Sequence, residues 1–340
     1  MVVREWDPAG ASEAEIESVV AALNEVLTAD LPSDPRWRTT GMRDYLAEVM
    51  PGERRVCWLV GADAAPDLPA GAGAVGHASL LLLGDIGVVE VLVHPAARHR
   101  GTGRALVAAA VRRAYAEGLA SIGVEAVGGT PATKFWESLG FRCAYVEMRS
   151  VLDLAAVDPV AVRAMAAAVP GDYRVEFHPG GLPERLLEVY AAAKASRRDA
   201  EPSDLELRPS SYDAHRLAES LATLNRRGMR PYLVLAVHQP TGAVAALTEV
   251  VAPSQHPARA DQYDTIVVPA HRGLGLERAV KARMLIELQA AEPHLAEVQT
   301  WNALVNDPMA EVNAELGFRP DREWREYEAD VLDLIRQLNG

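Results

Sequence analysis

The chain of 340 residues has two cysteines, Cys57 and Cys143. Two thiols cannot build a disulfide framework, and these two lack metal-ligand spacing. No apolar run approaches the roughly 18 residues that a bilayer span requires. Met1–Gly10 carries charges and a proline where a secretory leader would have an apolar segment. Cationic charge is also scarce: 34 Lys and Arg stand against 47 Asp and Glu, a net charge of −13. Phosphate backbones are met by clustered Lys and Arg, so a nucleic-acid partner is not expected. There is no metal-ligating constellation, and no G-x-S-x-G elbow announces a serine nucleophile. The expectation is a cytoplasmic protein with no nucleic-acid or membrane partner. Its acidic field either draws a small cationic substrate or serves solubility alone. Oligomeric state is not legible.

What is present is apolar material and a repeat. Hydrophobic residues make up 49% of the chain, enough for two cores, and the length suits two domains. Val91–Gly103 reads V-L-V-H-P-A-A-R-H-R-G-T-G, and Ile266–Gly275 reads I-V-V-P-A-H-R-G-L-G. In each, an arginine follows a proline by three residues and a glycine follows the arginine by three: Pro95, Arg98 and Gly101, then Pro269, Arg272 and Gly275. Arg98 and Arg272 are 174 positions apart, as are Glu90 and Asp264. Downstream, F-W-E-S-L-G-F ends at Phe141 and V-N-A-E-L-G-F ends at Phe318.

The local patterns run in parallel. In the first half, strands are expected at 56–62, 74–83, 88–93 and 122–127, with helices at 101–117 and 132–139. A Gly/Pro/Ala-rich turn separates the first two strands. In the second half, strands are expected at 232–237, 244–251, 265–268 and 297–301, with helices at 276–289 and 309–316. Strands first, then alternating helix and strand, give an α/β fold with a mixed sheet (α+β in its connections), present twice. The expected domains are 1–153 and 173–340, joined by an Ala-rich linker, 154–172.

Arg98-His99-Arg100-Gly101-Thr102-Gly103-Arg104 follows a strand and opens a helix. A helix start offers unpaired N–H groups and partial positive charge, which suit phosphate. Gly101 and Gly103 allow close approach to the backbone, and Arg98 and Arg100 add forked donors. A tight turn alone would also explain a lone Gly-x-Gly. However, V-x-V-x-P-x-x-R-x-x-G-x-G together with A-x-x-x-W-E-x-L-G-F resembles the GNAT acetyltransferase superfamily, with its Gln/Arg-x-x-Gly-x-Gly/Ala loop. The resemblance covers 88–141 and, with gaps, 262–318. It implies two tandem GNAT folds and acetyl-CoA as the donor. It implies that Arg98–Arg104 cradle the pyrophosphate and that Val91, Leu92 and Val93 run beside the pantetheine arm. It also implies a backbone N–H, freed at a bulge near Val91–Val93, that polarises the thioester carbonyl.

The departures from the family pattern matter. Trp136 stands where many members place the tyrosine that protonates the departing thiolate. Indole is no usable acid, so Trp136 is expected either to cover the thioester arm or to pack in the core. In the second half Asn306 fits, but Met309 replaces Ala, Asn313 replaces Tyr, and Glu277 stands where Gly103 does, so weak or absent CoA binding is expected there. Glu90 is the base favoured by position, provided that partial burial raises its pKa. Glu125, Glu147, His77 and His94 are alternatives, and an ion-paired Glu90 is another reading. Asp30, Asp34, Asp44, Glu48 and Glu53 line a cationic substrate or form a solvated face. The function expected is acetyl transfer to a primary amine of a small cationic molecule, such as an aminoglycoside or basic peptide antibiotic. The alternatives are a protein N-terminus or lysine as acceptor, and a non-catalytic CoA-binding scaffold.

Overall fold

The computed structural model describes residues 1–64, 73–196, 213–304 and 308–339. In chain order the elements are β1 (Val3–Trp6), α1 (Glu13–Asp30), α2 (Met42–Ala47), β2 (Arg54–Gly61), β3 (Ala74–Leu83), β4 (Ile86–Val93), α3 (Thr102–Glu117), β5 (Ser121–Val127), α4 (Pro131–Ser138) and β6 (Arg142–Asp153). They continue with α5 (Pro159–Ala167), β7 (Tyr173–Pro179), α6 (Glu184–Ala195), α7 (Ala214–Arg226), β8 (Met229–His238), β9 (Ala243–Pro253), β10 (Arg259–Val267), α8 (Leu276–Ala291), β11 (Glu297–Ala303), α9 (Pro308–Leu316), β12 (Arg319–Asp330) and α10 (Val331–Asn339). Asn306 and most of the Gly/Pro/Ala-rich turn between β2 and β3 lie outside the described residues.

The chain forms two compact α/β units. The first is Met1–Glu147 with Arg322–Gly340, and the second is Met148–Asp321. In the first, the strand order is β1-β2-β3-β4-β5-β12-β6. Strands β1 to β4 pair antiparallel, β4 and β5 pair parallel, and β12 pairs antiparallel with β5. One face packs on α3, whose stripe Leu106, Ala110 and Ala114 is fully buried against Leu80, Val89 and Ile122. Each such leucine is worth about 1.5–3 kcal/mol of burial. The other face is covered by α1 and α2 through Ile16, Val20, Met42 and Leu46, over Trp6, Cys57 and Leu59. Helix α1 opens on a capping box, with Ser12 and Glu15 each bonding the other's backbone N–H.

The second unit orders its strands β6-β11-β10-β9-β8-β7. Helix α8 packs with Val234, Ala246 and Val298 on one face, and α6 with Leu233, Leu235 and Leu247 on the other.

This division differs from the sequence boundaries in two places. The Ala-rich segment 154–172 holds a helix, α5, that belongs to the core of the second unit. Asp158 caps it, Pro159 occupies its first turn, and Val162, Met165 and Ala166 pack into the α8 core. At the other end, residues 322–340 belong to the first unit. Trp324–Asp330 pair with Val127–Ser121, and Tyr327, Ala329, Val331 and Leu334 complete the α3 core.

Candidate active site

The loop between β4 and α3 is shaped by its backbone. Pro95–Ala97 makes a short 3-10 turn, and its cap is the ring Nδ1 of His94, which accepts the Ala96 N–H at 3.1 Å. His99 and Gly101 then take positive φ, 57° and 83°. Gly101 is the N-cap of α3 and contributes no side-chain cap, so the amides at the start of the helix are left without intrahelical partners. The two glycines are required for different reasons. A Cβ at Gly101 would meet nothing, but the left-handed backbone resists one. A Cβ at Gly103 would lie 3.0 and 3.2 Å from the ring of Phe135.

Arg98 does not offer its guanidinium to an outside anion. Its two terminal nitrogens donate to both oxygens of Asp30, at 2.8 and 2.7 Å, and its Nε donates to the Val93 carbonyl at 3.3 Å. The expected forked phosphate donor is therefore a clamp that ties the loop to the end of α1. Arg100, Arg104 and His99 are exposed, whereas Thr102 is buried.

Beside this loop the sheet parts. The ladder between β4 and β5 ends at Val88 and Gly123, yet β4 continues to Val93 and β5 to Val127. Beyond Val88, the edge of β4 that carries Val91, Leu92 and Val93 has no ladder partner on β5. The expected bulge is not in this strand, because the β3–β4 register runs unbroken from Leu83 opposite Ile86 to Gly76 opposite Val93. Register shifts occur in other ladders, among them β2–β3 between Val60 and Gly61 and, in the second unit, β10–β9 between Gln262 and Thr265.

Four glutamates lie on the neighbouring strands β4, β5, β12 and β6: Glu90, Glu125, Glu326 and Glu147. Alternation along each strand settles the face of the first three, because Val89, Val124 and Tyr327 point into the α3 core. Glu90 is exposed and accepts the Ser79 hydroxyl at 3.0 Å, so the partial burial expected of it is missing. Desolvation acts instead on its neighbours. Glu125 and Glu326 are direct cross-strand partners. Glu125 reaches solvent but is recessed, and desolvation pushes its carboxyl up against the opposing hydrogen bond from Trp324 Nε1, at 3.1 Å. Desolvation, with the charges of Glu125 and Glu147, pushes Glu326 up to about 7. Sequence reasoning missed Glu326; the available signal was the polar alternation of W-R-E-Y-E.

Other candidates are placed elsewhere. Trp136 is 3% exposed, held edge-on by Phe135 and Phe141 at 5.1 and 5.0 Å. It packs in the core, the second of its two expected roles, and its neighbour Phe135 lies against Gly103. Burial drops His77 to about 4, leaving it neutral at pH 7 and a weak base. Burial pushes the Cys57 thiol up to about 12, which disqualifies it as a thiolate nucleophile. Three of the early acids have partners within the first unit. Asp30 binds Arg98, Asp34 faces Arg322 at 3.9 Å, and Glu53 accepts the Met50 N–H.

The second unit repeats the loop with altered chemistry. Gly275 caps α8 at φ 71°. Glu277 takes the place of Gly103, largely buried, and is bound by Arg278 at 2.8 Å. Asn313 is buried and donates to Asn302 at 2.7 Å. Among the described residues no group of three or more His, Cys, Asp or Glu is arranged to hold a metal, and no helix is long and apolar enough to cross a membrane.

Comparison with known proteins agrees with this geometry. The profile of the Acetyltransferase (GNAT) family matches residues 20–141. A tandem GNAT protein from the clavulanic acid biosynthesis pathway superposes with TM-score 0.80 at 25% identity, covering 97% of this chain and 98% of its own. A GCN5-related N-acetyltransferase from Sphaerobacter thermophilus superposes with TM-score 0.65 at 14% identity, covering 97% and 95%. A GCN5-related glucosamine N-acetyltransferase region of a fungal β-N-acetylglucosaminidase gives 0.64 at 13%, over 96% of this chain and 38% of that one. No curated protein matches the chain in sequence.

Proposed function

We propose that the first unit moves an acetyl group from acetyl-CoA to a primary amine of a small cationic molecule, since residues 20–141 match the GNAT acetyltransferase family and the fold is that of a tandem GNAT protein. The observation that carries this reading is the parting of β4 from β5 beside the glycine-capped start of α3. The residues present fit the donor: an uncapped helix start suits a pyrophosphate, and an unladdered strand edge suits a chain of amides. In this reading the backbone of Gly101–Arg104 holds the pyrophosphate, with His99, Arg100 and Arg104 exposed around it, and Val91, Leu92 and Val93 lie along the pantetheine. Acetyl-CoA supplies an activated thioester carbonyl.

The protein's own residues do the rest. Glu90, Glu125 and Glu326 attract an ammonium. An amine attacks only once it has lost a proton, and a carboxylate that titrates near the working pH takes that proton best. Glu326, at about 7, fits that role better than an exposed Glu90. Holding amine and thioester in attack geometry lowers the barrier further. An aminoglycoside or a basic peptide antibiotic is the acceptor class favoured by the net charge of −13. The test is thiol release from acetyl-CoA against a panel of amines that includes both classes, with neutral amino sugars and a basic protein as controls. Turnover confined to small polycationic amines supports the reading. Release with no amine of the panel, despite acetyl-CoA binding, favours a scaffold.

A further inference from the structure

In the second unit a lysine is buried between two carboxylates. Lys194, on α6, has a side chain 9% exposed. Its ammonium lies 3.0 Å from each oxygen of Glu249 on β9 and 2.5 Å from Asp264 on β10. Three N–H donors thus meet three carboxylate oxygens, the full capacity of a primary ammonium. Tyr190, one turn earlier on α6, donates its hydroxyl to the same Glu249.

The strand registers identify the position. In the first unit, Gly76 lies opposite Val93 and Ala78 opposite Val91. In the second, Ala246 lies opposite Val267 and Thr248 opposite Thr265. One step further from the glycine loop stand Ser79 and Glu90 in the first unit, and Glu249 and Asp264 in the second. The first pair is a hydroxyl on an exposed carboxylate. The second is two carboxylates, brought together where β10 shifts register. Two adjacent part-buried carboxylates repel each other unless a cation joins them.

We propose that Lys194 is a tethered amine filling the acceptor position of the second unit, so that the Glu249–Asp264 pair is a primary-ammonium site occupied by the chain itself. The proposal rests on reading the Ser79–Glu90 position as the acceptor side of the first unit. It explains, apart from Glu277, why one unit would stay silent: an outside amine would have to displace a side chain held by three ionic hydrogen bonds.

The test is thermal unfolding of Lys194→Ala in n-propylammonium chloride, which restores the missing atoms, against tetramethylammonium and potassium chlorides at equal ionic strength. The variant should melt below the native chain and recover by about 3 °C or more, of the order of 1 kcal/mol, in n-propylammonium alone. The double variant Lys194→Ala/Asp264→Asn, with one charge fewer to neutralise, should show no such recovery. Equal effects of the three salts on the single variant overturn the proposal, as does equal recovery of both variants. If Lys194→Ala accumulates only as aggregate, the same comparison is read as soluble yield. None of these readouts involves acetyl transfer, so silence in the thiol-release assay leaves them standing.

Discussion

A carboxylate that takes a proton from an ammonium must be ionised when the amine arrives, and in the proposed reaction Glu326 would set the pH at which that holds. Its carboxyl is pushed up to about 7, so turnover of the first unit is expected to rise with pH through that value. Glu326→Gln should lower turnover by about a hundredfold or more, as the loss of a general base does, and should abolish the rise near pH 7. Glu90→Gln should leave the rise in place and act mainly on KM for the amine. A pH–rate profile of Glu326→Gln identical in shape to the native one removes Glu326 from the chemistry. Stability supplies an independent check. The folded chain holds the Glu326 proton more tightly than the unfolded chain, whose carboxyl releases it near its ordinary value of 4.5. The native chain therefore loses stability as pH rises from about 4.5 to 7. Glu326→Gln escapes that loss, so its melting temperature relative to native should be higher at pH 8 than at pH 4. Trp136 behaves as its burial dictates: Trp136→Ala leaves a core cavity worth about 3–5 kcal/mol, and Trp136→Phe should cost less and leave turnover within a few-fold. Equal loss of turnover in a well-folded Trp136→Phe would return Trp136 to the cleft.

At the scale of elements, the loop before α3 works because α1 holds it. Asp30 ends α1 and clamps Arg98, which also reaches the Val93 carbonyl. Asp30→Ala should loosen the loop without touching the acceptor, raising KM for acetyl-CoA about threefold to tenfold, the effect of about 1 kcal/mol for a part-buried forked pair, with kcat little changed. A fall in kcat at unchanged KM would place Asp30 elsewhere in the mechanism. Gly103→Ala, which presses Phe135, should also raise KM. Elements with a strong local pattern were legible beforehand. The expected strand 74–83 matches β3 to the residue, and α3 starts within one residue of its expected start. Elements whose pattern depends on distant partners were not. In β12, Arg325, Tyr327 and Ala329 face one way and Trp324, Glu326 and Glu328 the other, too polar a strand to stand out until β5 supplies its partner. The side chain of Arg98 was misjudged for a similar reason: its anion, Asp30, lies 68 positions earlier, where no spacing rule connects the two.

The molecule as a whole repeats one plan and then exchanges its end, because residues 322–340, which the sequence order assigns to the second half, belong to the first unit. Two consequences separate this arrangement from two independent domains in series. Acetyl-CoA should bind one strong site per chain, since Glu277, bound by Arg278, brings a carboxylate to the second helix start where Gly103 leaves the first one open. Calorimetry that finds two equal sites contradicts this. The second consequence is sharper. Deletion of residues 322–340 removes the strand between β5 and β6 from the first sheet, takes Tyr327, Ala329, Val331 and Leu334 out of the α3 core, and discards Glu326. Removing a strand from the interior of a sheet strips the ladder from both neighbours, and four buried side chains are together worth several kcal/mol, comparable to the whole stability of a domain. The shortened chain should therefore lose acetyl-CoA binding and cooperative unfolding of its first unit. Deletion of residues 331–339 alone, which removes α10 and keeps β12, should lower the melting temperature but retain the site. If the chain ending at residue 321 still binds acetyl-CoA with native affinity, the first unit folds without the strand, and its sheet closes in a way other than the one described.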